Sequence, residues 1–241
     1  MLPERITDTD ALFLDFDGCL VEIAPRPDAV VVPPGLPPVL DRLHSQLQGA
    51  LALISGRAAD NLRAFLPGFG GAVAGSHGAE LSWPGQPVQP VQAPRFDMAA
   101  LLEHVRQLAA PHPALLVEPK PHGVALHYRA APELERWVQD EMAALADDFP
   151  MLALQPAKMA VELRPAGAGK DQALRRLMAQ APFAGRRPVF AGDDTTDEAA
   201  IVAAQAQGGI GIKVGPGDSA ARHRLRDPAA VLRWLEDAAW P

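Results

Sequence analysis

The chain of 241 residues carries 22 Lys and Arg against 29 Asp and Glu, a net charge of −7. That balance gives no long-range attraction to nucleic acid or an anionic membrane and disfavours both as partners. Apolar residues make up 48%, enough for a packed core in one large domain or two small ones, and a single cysteine, Cys19, excludes a disulfide framework and a multi-cysteine zinc site.

No apolar run approaches the ~20 residues of a membrane helix, and the polar stretch from Met1 to Asp10 lacks a signal region. With one cysteine, a reducing compartment and a cytoplasmic location are expected. The 25 prolines are spread along the chain and read as many turns rather than one linker. Ala11-Leu12-Phe13-Leu14 predicts a strand buried on both faces, closed by Asp15-Phe16-Asp17-Gly18. Leu36, Val39, Leu40, Leu43 and Leu47 follow at helical spacing. A second buried strand over 50–54 stops at Ser55-Gly56-Arg57, and a helix over about 58–66 precedes a short strand near 71–74. This alternation predicts an α/β fold with a mostly parallel sheet.

The pattern then changes. Met98, Leu101, Leu102, Val105 and Leu108 share one helical face, and strands are expected around 114–118 and 124–129. A second helix starts at Pro132, with strands near 151–154 and 159–163 after it. Helix-strand-strand, twice over, predicts an open sheet with helices on one side, an α+β insert over roughly 93–165. After Gly169-Lys170 the first pattern resumes, with helices near 170–180, 197–206 and 228–238 and strands at 188–191 and 210–214. The expected organisation is a discontinuous core, 1–92 and 166–241, with a ligand cleft between it and the insert.

In an open α/β sheet ligands sit at the carboxyl ends of the strands. The strand assignments bring Asp15, Asp17, Ser55, Asp193 and Asp194 to that edge. Carboxylates gathered in one pocket repel unless a cation neutralises them, and sparse oxygen ligation suits magnesium better than calcium. Lys170 follows Ala166-Gly167-Ala168-Gly169, but a nucleotide-triphosphate loop requires Gly at 164 and Ser or Thr at 171, where the chain has Arg164 and Asp171. Lys170 at a helix start and Ser55 before Gly56-Arg57 are still placed to meet an anion. His77, between glycines, reads as an exposed turn residue. Glu118, Lys120, Arg129, Lys158, Glu162 and Arg164 form either a solvated sheet face or groups that recognise a phosphorylated sugar.

Asp15-x-Asp17-Gly18, Ser55, Lys170 and Gly192-Asp193-Asp194 resemble, in order, the four motifs of the haloacid dehalogenase superfamily. Pro25-Arg26-Pro27, Gly75-Ser76-His77-Gly78-Ala79-Glu80, Glu118-x-Lys120 with Arg129, Glu162-Leu163-Arg164-Pro165 and Thr195-Thr196-Asp197-Glu198 make the chain similar to the trehalose-6-phosphate phosphatases among them. The resemblance spans almost the whole chain. It implies a Rossmann-like core, with the insert as a cap domain that sets substrate specificity. It also implies that Asp15 attacks phosphorus and that Asp17 serves as acid and then base. Mg2+ is then held by the Asp15 carboxylate, the Asp17 carbonyl and Asp193, with Asp194 supporting or sharing it. Ser55 and Lys170 hold the phosphoryl oxygens, and Arg57, His77, Glu118, Lys120, Arg129, Lys158 and Glu162 contact the sugar or its phosphate. Cys19 stands where the family usually has Thr, a weaker hydrogen-bonding group beside an intact nucleophile and acid.

The implied activity is hydrolysis of trehalose 6-phosphate by a monomer with a functional link to trehalose-6-phosphate synthase. Alternatives are a phosphatase for sucrose phosphate or mannosyl-glycerate phosphate, a phosphomutase, and a non-catalytic sugar-phosphate sensor. Intact Asp15, Asp17, Lys170 and Asp193 speak against the sensor, since a pure binder needs neither nucleophile nor acid.

Overall fold

The computed structural model describes residues 2–24, 26, 28–91, 96–157 and 159–239. In chain order the first elements are β1 (Asp10–Leu14), α1 (Leu36–Gln46), β2 (Leu51–Ile54), α2 (Ala59–Phe65), β3 (Ala72–Gly75), β4 (Glu80–Ser82) and β5 (Gln89–Pro90). Next come α3 (Met98–Ala109), β6 (Leu116–Lys120), β7 (Gly123–His127), α4 (Glu135–Asp148), β8 (Leu152–Ala157) and β9 (Ala160–Pro165). The last are α5 (Lys170–Met178), β10 (Arg187–Gly192), α6 (Glu198–Ala206), β11 (Ile210–Val214), β12 (His223–Leu225) and α7 (Pro228–Ala238). Two units divide the chain: Met1–Val91 with Gly169–Pro241, and Gln92–Ala168.

The first unit holds an eight-stranded sheet in the order β12-β11-β10-β1-β2-β3-β4-β5. Pairing is parallel from β12 to β3 and antiparallel for β4 and β5. β1, β2, β3 and β11 are buried at every position, as strands covered on both faces must be. Each large apolar side chain buried there, such as Leu12, Phe13, Leu53 or Phe190, contributes roughly 1.5–3 kcal/mol relative to exposure. Asp10, fully buried in β1, is paired with Arg187, whose Nε lies 2.7 Å from its carboxylate.

The second unit is a four-stranded antiparallel sheet, β6-β7-β9-β8. Val124 and Leu126 of β7 and Val161 and Leu163 of β9 point to one face. They form a core with Leu101 and Val105 of α3 and Val138, Met142 and Leu145 of α4. The helix expected from Pro132 opens as a short 3-10 turn, Pro132–Leu134, before α4. β8 runs beyond the expected 151–154 to Ala157, through Pro156. Pro119 of β6 and Pro156 of β8 lie in the two edge strands, where a missing N–H breaks no interior ladder, and Pro165 is the last residue of the interior strand β9. Among the described residues no helix is long and apolar enough to cross a membrane.

Candidate active site

Because β1 pairs in parallel with both β2 and β10, their carboxyl ends share one edge. Asp15 follows β1 directly, and its N–H donates to Ala191 O of β10 at 2.9 Å. Ser55 follows β2, Asp193 follows β10, and Lys170 opens α5. Four of the catalytic and metal residues expected from sequence thus share one end of one sheet.

Asp15 is 4% exposed, and Lys170 Nζ lies 2.8 Å from its Oδ1 and 2.6 Å from Asp197 Oδ1. Burial and then the Asp197 charge push the Asp15 carboxyl well above its usual range, against the opposing pull of Lys170. For Lys170, burial works to lower the ammonium, but the charges and hydrogen bonds of Asp15 and Asp197 outweigh it and raise it. Burial, with Asp197 next, pushes Asp193 up to about 6. Lys213 of β11, buried, donates to the Asp193 backbone carbonyl. Asp15, Asp17, Asp193 and Asp197 together outweigh Lys170, Lys213 and Arg57 by one formal charge. Such a site is short of positive charge before any anionic substrate arrives.

Ligand oxygens of Asp15, Asp193 and Asp197 lie within 4.8 Å of one another, a set that can hold a hard divalent cation. Two glycines make the approach possible. Gly18, at φ +75°, sits so close that a Cβ there would lie 2.1 Å from Asp193 Oδ2, and a Cβ on Gly192 would lie 2.3 Å from Asp197 Cγ. Asp194, expected beside the metal, directs its carboxylate elsewhere. It accepts from Thr195 N at 2.6 Å and caps the turn Thr195–Asp197, while Asp197 Oδ2 accepts in return from Asp194 N at 2.9 Å. This reciprocal cap commits Asp194 to the turn and puts Asp197 into the cluster instead. A carboxylate three residues after an N-cap was the sequence signal for it.

Asp17 also stands apart from the three carboxylates, in a two-point pair with Arg57, Nε–Oδ2 2.5 Å and Nη2–Oδ1 2.7 Å. The Arg57 guanidinium lies over the Phe16 and Phe65 rings, which restricts its swing. Ser55, 1% exposed, accepts the Arg57 N–H at 3.3 Å through Oγ. The His77 turn is stitched to this segment. Ser76 N donates to Arg57 O at 2.8 Å and His77 N to Ser55 O at 2.9 Å. Both Ser76 and His77 hold positive φ, a strained backbone of the kind found where a side chain must be aimed. Buried Glu80 secures the turn, accepting from Ala59 N at 2.7 Å and Ser76 Oγ at 3.1 Å.

In the second unit the register Glu118↔Ala125↔Glu162 puts both carboxylates on the sheet face opposite the helices. Glu118 binds Lys120 Nζ at 2.7 Å and His127 Nε2 at 2.8 Å. The His127 hydrogen bond, opposed by burial and aided by Lys120, lowers Glu118 to about 2, whereas burial raises Glu162. Arg164 of β9 donates to Gln155 of β8 at 2.6 Å on the same face. Arg129 lies just past β7, exposed. Lys158, Pro25 and Pro27 lie outside the described residues. Asp197, Lys213 and His127 were not among the expected site residues. For Lys213 the signal was a lone lysine in the apolar run Ile210–Val214.

The family profile described as trehalose-phosphatase matches residues 13–229 of this chain. The chain is 37% identical over 241 residues to the trehalose-6-phosphate phosphatase of Escherichia coli K12, covering 98% of this chain and 91% of that protein. It is 42% identical over 213 residues to a probable trehalose-phosphate phosphatase of Sinorhizobium fredii, covering 87% and 80%. Among solved structures, a trehalose-6-phosphate phosphatase related protein superposes with a TM-score of 0.77 at 26% identity, over 94% of this chain and 95% of that one.

Proposed function

This chain belongs to the trehalose-phosphatase family, and we propose on that premise that it hydrolyses trehalose 6-phosphate to trehalose and inorganic phosphate, with Asp15 as nucleophile. The observation that carries the chemistry is the buried Asp15 carboxylate, gripped by Lys170 and set beside Asp193 and Asp197. The oxygen-only donor set fits Mg2+, which Asp15, Asp193 and Asp197 would hold together with the Asp17 carbonyl. Asp194 contributes by fixing the turn that carries Asp197. Bound there, the ion supplies the positive charge that lets an anionic carboxylate approach an anionic phosphate.

An Asp15 oxygen bonds to phosphorus as the bond from phosphorus to the sugar oxygen breaks, leaving an aspartyl phosphate. Asp17, exchanged from the Arg57 fork as the phosphoryl group takes that guanidinium, takes up a proton from solvent and delivers it to the leaving sugar oxygen. It then takes one from the water that attacks the aspartyl phosphate. That attack breaks the bond to Asp15 and releases inorganic phosphate with the nucleophile restored. Lys170 spends two of its three N–H donors on Asp15 and Asp197, and the third is directed to a phosphoryl oxygen. Ser55 Oγ and His77 complete the anion contacts.

Residues 1–92 and 166–241 serve as the catalytic core, and 93–165 as the selective cap. On the cap, Glu118 and Glu162 accept from sugar hydroxyls while Lys120, Arg129 and Lys158 donate. A trehalose-6-phosphate synthase would supply the substrate, a reading supported by the likeness to a bifunctional trehalose-6-phosphate synthase/phosphatase. The acidic balance and lone cysteine favour work in the cytoplasm. Phosphate release from a panel of sugar phosphates, with and without Mg2+, tests the reading. Metal-dependent turnover with strong preference for trehalose 6-phosphate is expected, together with near-complete loss in Asp15→Asn. Equal turnover of many sugar phosphates would overturn the substrate, and an active Asp15→Asn the mechanism.

A further inference from the structure

We infer that His127 is a positioning residue that sets the geometry with which Glu118 accepts sugar hydroxyls. The inference rests on the substrate proposed above. It arises from the open face of the second sheet, where Glu118, Lys120, His127 and Glu162 rise from a floor that includes Gly123, Ala125 and Ala160. Side chains that small leave room for a polyol to lie against the strands.

An ionised carboxylate has about four acceptor positions. Glu118 uses one on each oxygen, Oε1 toward Lys120 at 2.7 Å and Oε2 toward His127 at 2.8 Å. The others are left for hydroxyl donors. Without a partner, a glutamate side chain 40% exposed has three torsions over which to wander, and hydroxyl recognition would have to arrest all of them. The two partners are similarly covered, 31% and 28% exposed, but Lys120 is the weaker anchor, since its ammonium rides on a four-torsion stem whose freedom must be given up to hold one geometry. His127 has only two side-chain torsions and stands at the end of β7, next to Leu126 in the unit's core. Its bond also does most to keep Glu118 ionised and therefore purely an acceptor. Glu162, on the adjacent strand, faces Lys120 and Arg164 through charge. The stiff side of the Glu118 site is the histidine.

The test is steady-state kinetics of the full chain with trehalose 6-phosphate and with p-nitrophenyl phosphate, for wild type, His127→Ala, His127→Gln, Glu118→Ala and the double alanine variant. His127→Ala should raise KM for trehalose 6-phosphate about tenfold, the factor a hydrogen bond to a charged group supports. Its kcat, and its turnover of the aryl phosphate, should stay within about twofold of wild type. His127→Gln offers an amide N–H near the position of Nε2, and should recover most of the KM. The double variant should be no worse than Glu118→Ala alone, because a positioning residue has nothing left to position. An unchanged KM in His127→Ala beside a raised one in Glu118→Ala would overturn the inference, as would equal losses on both substrates or additive effects in the double variant. A wild type indifferent to the sugar would overturn the proposed substrate and this inference with it.

Discussion

Replacing Gly18 by alanine tests the claim that the loop after β1 is shaped around Asp193. At φ +75° the residue sits in the left-handed region, and an added Cβ would meet Asp193 Oδ2 at 2.1 Å and its Cγ at 2.3 Å. Real Cβ atoms essentially never come under 3.0 Å, so the carboxylate must withdraw by about 1 Å. A shift of that size in a catalytic constellation costs on the order of 10²-fold in rate. The backbone adds a separate penalty of about 1–2 kcal/mol for a side chain in the left-handed region. For a chain of this length that is a fall in Tm of roughly 2–4 °C per kcal/mol. Gly208 separates the two effects, because it has the same φ of +75° and a Cβ added there would meet nothing within 4 Å. Phosphate release from trehalose 6-phosphate over a Mg2+ titration, read beside thermal melts, should give similar Tm losses for Gly18→Ala and Gly208→Ala. Only Gly18→Ala should lose about 100-fold in activity and need more Mg2+. Activity of Gly18→Ala within a few-fold of Gly208→Ala would refute the reasoning.

Cys19 is fully buried, and burial, with the Asp15 charge next, pushes its thiol well above its ordinary value. A thiol-specific disulfide reagent should therefore leave the native chain unlabelled and modify one group per chain after unfolding; rapid native labelling would refute that burial. Folding lowers Glu118 from 4.5 to about 2, chiefly through His127. It thus adds stability above its unfolded value, and that increment is lost as pH falls through its folded one. Glu118→Gln should cost a modest amount of stability at about pH 6, screened by the group's exposure, and the gap to wild type should close by about pH 2. Denaturant melts at stepped pH that show a constant gap would contradict the pairing.

The elements easiest to read from sequence were those whose surroundings leave a one-dimensional trace. β1, β2 and β11 are buried throughout and therefore appear as short continuous apolar runs. α3 and α4 bury one stripe and show helical spacing. β4, β5 and β12 left no such trace: they are two or three residues long, polar or proline-bearing, and lie toward the two ends of the sheet, where burial is incomplete. Their pairing depends on the neighbour strand rather than on their own pattern.

The chain alone determined the alternation that makes an α/β fold with an insert, and the placement of Asp15 and Asp17 just beyond a buried strand. Those are local properties, set by hydrophobic period and by a glycine turn. What tertiary structure decided is which charges meet. Lys170 reaches Asp15 across the fold, Asp197 joins the carboxylates while Asp194 closes its own cap, and His127 pairs with Glu118 across two strands. Charges act over a few ångströms in a low-dielectric interior, so their partners are chosen by packing and register, which no local pattern encodes.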